Sequence, residues 1–271
     1  MPYRANSAER REDGRSLWIT TSWDDGYPLD MRLAELLDRY GVRGTFYVPV
    51  RSQLPVMNPS QIRELARHFG IGGHTVNHVQ LDQVTPQCGR QEIFESKRRI
   101  EDITGTPCTM FCPPSGRYRR SHLHDIRQAG YIGVRTVELM SVAYPTSREG
   151  LVLLPATVQL YRHGVSTYVK NALKRGRWKN LQTFFCRAHR RDLVQATGAL
   201  LENLLDTGGV FHLWGHSWEL EHSRLWGMLE NILKQLWANR DRCRFVSNET
   251  LSERFRPAES RLPLEAATEV I

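Results

Sequence analysis

The feature that most constrains this chain is the alternation of short apolar runs with amphipathic stretches, almost from end to end. LWITTS (17–22), RGTFYVPV, IGGH, TPCTMFCP, YIGVRT, LVLLPATV, GVFHLWGH and CRFVS read as strands. LDMRLAELLDRYG, PSQIRELARHFG, QEIFESKRRIEDITG, SHLHDIRQAG and LWGMLENILKQLWANR carry the helical apolar period between them, with further helices expected at roughly 166–176 and 188–206. About seven or eight β-then-α units, each shorter than about 40 residues, predict parallel strands joined by helical crossovers. No GxGxxG follows the first strand, so a barrel is favoured over a dinucleotide-binding sheet. The α/β class follows from this pattern alone. One domain is expected over 16–256, with 1–15 and 257–271 reading as flexible segments.

Composition narrows the setting. No run of about 18 uncharged apolar residues suits a membrane span. The polar start MPYRANSAERREDGRS lacks the apolar core of a secretory signal, so a cytoplasmic location is expected. The five cysteines are odd in number and lack CxxC spacing, which predicts reduced thiols and no cysteine-zinc site. The net charge of +8 is concentrated locally: KNALKRGRWKNLQTFFCRAHRR (170–191) is dense in Lys and Arg, contains no acid, and is interleaved with Trp178, Phe184 and Phe185. An anionic or lipid-linked substrate, the inner face of a membrane, a nucleic acid, or plain solvation of a basic face would each account for it. No specific nucleic-acid-binding motif is present.

Three strand ends carry residues suited to chemistry, which is where a barrel builds its site. Asp24 and Asp25 follow the first strand. Adjacent carboxylates raise each other's pKa, so such a pair is either a solvated turn or is held for a purpose. His74 and His78 in GGHTVNH stand four apart after the third strand, near enough to share a metal ion, and Gly72-Gly73 argues for a sharp turn there. His216 in HLWGHSWE follows a late strand, with packing between Trp214 and Trp218 as the alternative reading. Two imidazoles and one carboxylate leave positions open on a divalent ion. One aspartate can then hold the ion while the other stays ionised as a general base. His122 and His124 read as surface residues, Glu219 as a solvated or capping acid, His212 as unpaired, and Cys112 as a small core residue.

In this order the motifs resemble the polysaccharide deacetylase family, carbohydrate esterases that share the NodB homology domain. SWDDG (22–26) stands where the family has TFDDG, and His74-Thr75-Val76-Asn77-His78 matches H-[ST]-x-x-H. Leu213 to His216 is similar to the last motif, shifted by one residue. The third motif, R-x-P-[YF]-G, appears as Cys112-Pro113-Pro114-Ser115-Gly116, with cysteine for arginine and serine for the aromatic; the fourth is not evident.

The resemblance spans about 17–251 and implies an irregular (β/α)7 barrel of the NodB-like deacetylase fold. It implies removal of an N-acetyl or N-formyl group from an amino sugar, assisted by one divalent ion held by Asp25, His74 and His78. Zn²⁺ is the first expectation, with Co²⁺, Mn²⁺ and Ni²⁺ compatible. Asp24 would be the general base, His216 the general acid, and Ser115 an oxyanion donor through its backbone, with Pro114 and Trp214 as further substrate contacts. The arginine that orients the base is missing, and Arg135, at the end of the strand in GYIGVRT, is the candidate replacement; an exposed loop arginine is the alternative. A barrel that binds carbohydrate or anions with weakened catalysis is the second functional reading.

Overall fold

Strand β1 (Leu17–Asp24) is buried along its whole length, and the alternation of its side chains divides the molecule into two cores. Leu17, Ile19 and Trp23 face outward into a large cluster shared with the helices. Trp18, Thr20, Ser22 and Asp24 face the other way, toward Val210, Asn248, His212 and Arg135 in turn. A period of two thus sends apolar residues to one face and a polar column to the other. The computed structural model describes residues 16–161 and 193–258; the helix expected at 166–176, the basic stretch 170–191 and both predicted flexible ends, but for Pro257 and Ala258, lie outside them.

From one side of β1 run β2 (Gly44–Val48), β3 (Gly70–Gly73), β4 (Met110–Phe111) and β5 (Gly133–Arg135), all parallel. On the other side lies β9 (Gly209–Gly215), again parallel. Next to β5 comes β7 (Leu151–Leu154), and next to β9 comes β8 (Val158–Gln159). These last two are halves of one run, LVLLPATVQ, divided at Pro155, which has no N–H to give a ladder. The Thr157 amide bonds the His212 carbonyl across the gap. One bent run therefore meets both open edges, and β1, β2, β3, β4, β5, β7–β8 and β9 close into a seven-membered barrel. Among the described residues two strands lie outside that ring: β6 (Thr146–Arg148), antiparallel on β7 and not signalled by the sequence pattern, and β10 (Arg244–Phe245), on the first half of β1.

The crossovers include α1 (Asp30–Arg39), α2 (Pro59–Leu65), α3 (Pro86–Thr104), α4 (Arg120–Gln128), α5 (Leu193–Thr207), α6 (Ser217–His222) and α7 (Trp226–Ala238). α3 starts earlier than its apolar period suggests, because Thr85 caps the Cys88 amide and Pro86 occupies the first turn. It ends at Gly105, whose φ of 70° suits the left-handed cap. His122 is not a surface residue as expected: it is buried, and its Nδ1 accepts the Arg119 amide at 3.0 Å.

A last helix, α8 (Asn248–Phe255), has no counterpart in the sequence reading and stops the amino end of the barrel. Asn248 Oδ1 accepts the Thr20 hydroxyl at 2.8 Å, and its Nδ2 donates to Tyr47 Oη at 2.9 Å. Leu251 packs with Trp18, Met110, Val152 and Val210 inside the barrel. With that end filled, the carboxyl end of the strands is the open one among the described residues.

Candidate active site

At that end, β1 hands over to Asp25 and Gly26, both in the left-handed region at φ 77° and 59°. Gly26 also meets a wall: a Cβ there would lie 2.7 Å from Val48 Cγ1. The turn rotates Asp25 away from Asp24, so the neighbours serve different partners. Asp25 Oδ1 lies 3.5 Å from His74 Nε2 and 3.0 Å from His78 Nε2. Its Oδ2 accepts the Trp218 indole N–H at 2.9 Å. Burial pulls its carboxyl up, but the His74 and His78 contacts and the nearby His216 outweigh this and hold it well below the usual range.

His74 follows β3 directly. Its Nδ1–H donates to the Cys112 carbonyl at 2.6 Å, which leaves Nε2 as the ring nitrogen that faces Asp25. No helix carries His74 and His78; an irregular turn does, with Thr75 at φ 63° and His78 at φ 52°. The turn is shaped by Glu92 of α3, buried beneath it. Glu92 Oε2 accepts the Val76 and Asn77 amides at 2.8 and 2.9 Å, and Oε1 accepts Asn77 Nδ2 at 2.6 Å. Asp25, His74 and His78 each present a ligand atom within 4.8 Å of the others. A carboxylate and two oriented imidazoles suit zinc or a neighbouring divalent ion and leave positions open.

Asp24 sits below, 4% exposed, and pairs with Arg135, which is fully buried at the end of β5. The guanidinium lies 4.4 Å from the Trp214 ring centroid and 5.6 Å from that of Tyr47. Burial brings its pKa down to about 9, so it stays a cation at neutral pH. His212, expected to be unpaired, donates from Nδ1 to the Pro155 carbonyl and accepts Ser22 Oγ–H on Nε2 at 2.9 Å. Burial and Arg135 lower its pKa to about 3, which keeps a second cation out of the column.

Across the cleft, His216 Nε2 is 4.0 Å from Asp24 Oδ2 and from Asp25 Oδ2. Its Nδ1 donates to Glu219 Oε2 at 2.6 Å, so Glu219 is neither a solvated acid nor a simple cap. Cys112 Sγ lies 3.9 Å from Asp24 Oδ2, and burial followed by the Asp25 charge raises its thiol well above the ordinary value. Of the three substrate-contact candidates, only Ser115 is exposed, at φ 55° in a short turn. Pro114 is buried beneath it, and Trp214, 6% exposed, packs on Arg135 with its edge to His216. Four of the seven non-glycine residues with positive φ among the described residues, Asp25, Thr75, His78 and Ser115, surround this cleft. Such backbone costs stability and concentrates where function needs it.

The profile of the polysaccharide deacetylase family matches residues 10–134, from before β1 to β5. Over that stretch the chain is similar to the polysaccharide deacetylase family. Bacillus subtilis YxkH, which carries the provisional name polysaccharide deacetylase, is 29% identical over 123 residues, 44% of this chain and 44% of that protein. Listeria monocytogenes PgdA, a peptidoglycan-N-acetylglucosamine deacetylase, is 28% identical over 111 residues, 40% of this chain and 23% of that protein. The matched stretch thus spans less than half the length of these curated relatives. A crystal structure from Mycobacterium smegmatis, provisionally named polysaccharide deacetylase, shares the fold: TM-score 0.67 at 18% identity, over 90% of this chain and 92% of that one.

Several residues of the site carry only faint sequence signals. Glu92 is an acid on the apolar stripe of α3, in step with Ile93, Ser96 and Ile100, a position where a charge calls for a partner. Trp218 and Glu219 follow His216 at once, in HSWE. Asp30, at the start of α1, is fully buried beside Ser217; burial, opposed by that hydroxyl and helped by the Asp25 charge, raises it to about 8.

Proposed function

We propose that the protein is a metal-dependent hydrolase that removes an N-acetyl or N-formyl group from an amino sugar. The observation that carries this is the division of labour around one cleft: Asp25, His74 and His78 converge on one point, while Asp24 and His216 face that point from separate supports. A bound ion would supply Lewis acidity, lowering the pKa of water and polarising the acyl carbonyl. Asp25, His74 and His78 would hold it. Asp24, kept ionised by Arg135, takes the proton of the attacking water. The Ser115 amide stabilises the oxyanion, since that contact needs no side chain. His216, its Nδ1–H fixed on Glu219, gives a proton from Nε2 to the departing amine.

The relatives support an acylated sugar as substrate, PgdA by its name. The basic, aromatic-laced stretch 170–191 supports an anionic or lipid-linked form, gathered at an acidic surface with about 1 kcal/mol from each cation near a bilayer.

The test is a panel of N-acylated oligosaccharides and nucleotide- or lipid-linked amino sugars, assayed for acyl release with added Zn²⁺, Co²⁺ or Mn²⁺. His74→Ala should lose both ion and turnover. Asp24→Asn and His216→Ala should keep the ion and lose about 10²–10⁴-fold in rate. Sugar binding without acyl release under every metal would instead support the binding barrel.

A further inference from the structure

Cys112 has no part in the hydrolysis above, yet its side chain lies against the middle of the site. It follows β4, is buried, and places Sγ 3.9 Å from Asp24 Oδ2. Ligand atoms of Asp24, His74 and Cys112 all lie within 4.8 Å of one another, as do those of Asp25, His74 and His78. The two sets share His74. A second observation concerns Asp24: Oδ2 accepts from Arg135, but Oδ1 is buried with no hydrogen-bond partner among the described residues. A buried carboxylate oxygen without a partner costs free energy until something meets it.

We infer that Asp24, His74 and Cys112 form a second seat for a thiophilic divalent ion, zinc or cadmium in class, alternative to the seat of Asp25, His74 and His78. The inference rests on reading the cleft as a metal centre. Carboxylate, imidazole and thiolate are three ligands with a fourth position open. Bonds of about 2.0–2.3 Å put ligand atoms roughly 3.3–3.8 Å apart around a tetrahedral ion, and the ligand atoms here already lie within 4.8 Å of one another. As the metal–sulfur bond forms, the thiol proton leaves to the buffer, and no electron changes hands. Charge balances locally, since the ion and Arg135 offset Asp24, Asp25 and the thiolate.

Exclusivity comes from one atom. His74 Nδ1 is committed to the Cys112 carbonyl, so Nε2 is its single ligand position and serves one seat at a time. Thiolate favours soft ions, and carboxylate with imidazole accepts harder ones. An ion in the thiolate seat also occupies the general base. Zinc or cadmium in excess therefore inhibits, where manganese does not.

The experiment is titration of the purified protein with Cd²⁺ and Co²⁺, followed by ultraviolet thiolate-to-metal charge transfer. The parent and His78→Ala should show the band; His74→Ala, Cys112→Ser and Cys112→Ala should lose it. Both Cys112 variants should bind Cd²⁺ at least about tenfold more weakly. The ¹¹³Cd resonance of the parent, which reports sulfur ligation, keeps the test open if a Cys112 variant does not fold. No band and no sulfur-shifted resonance in the parent would overturn the inference. So would a band that survives in a folded Cys112 variant, which would come from another of the five cysteines. Failure of every sugar to turn over would sink the proposed hydrolysis and leave the band in place; loss of the band would leave hydrolysis untouched.

Discussion

Two buried charges govern the residue scale. Asp24 and Arg135 are each under one-twentieth exposed, and a buried pair broken on one side costs about 3–5 kcal/mol. Arg135→Met leaves Asp24 with that cost unless it takes up a proton. The acidic limb of the pH–rate profile should therefore move to higher pH, with metal content unchanged. An unmoved limb at an unchanged rate would remove Arg135 from the site's chemistry. Asp30 tests burial in the opposite sense. Its folded pKa of about 8 lies above the ordinary carboxylate value, so its contribution to stability is fully present only below about pH 4. That contribution is lost as pH rises toward 8, because the unfolded chain ionises first. Asp30→Asn removes the loss, so metal-free Asp30→Asn should gain several degrees of melting temperature over the parent between pH 5 and pH 8. A pH-independent difference would show that Asp30 is ionised in the fold.

Among elements, α3 and the turn after β3 act as one unit through Glu92. Three N–H groups of the turn end on that carboxylate. Glu92→Ala leaves two backbone amides without an acceptor, at about 1–3 kcal/mol each where burial is complete. The left-handed residues Thr75 and His78 then lose what holds them. Metal affinity, measured by calorimetry, should fall about 10–100-fold, as for other groups that orient ligands. Glu92→Gln keeps one acceptor oxygen and should recover part of the loss. Equal affinity in parent and Ala variant would mean that the turn holds its shape unaided.

For the whole molecule, the barrel separates stability from chemistry by end. α8 closes the amino end with Leu251, which is fully buried, and Asn248. Leu251→Ala should cost about 2–5 kcal/mol in denaturant unfolding while leaving metal affinity alone. A matching loss of metal would show that the two ends are coupled. The same division explains what could be read without coordinates. Strand and helix periods, and residues with only a few roles open to them (Asp24 and Asp25, His74 and His78, His216), are local in the chain, so the α/β alternation and the main cluster were legible. Pro155 and the run around it were visible, but not that its halves would meet β5 and β9 and close the ring. Nor could Glu92 on the histidine turn, Glu219 on His216, or Cys112 beside Asp24 be read, since each partnership depends on where strands end in space. Sequence alone determined which groups can ionise, ligate or turn the chain. Closure of the barrel decided which of them share low-dielectric space, and so which are paired, shifted or left open.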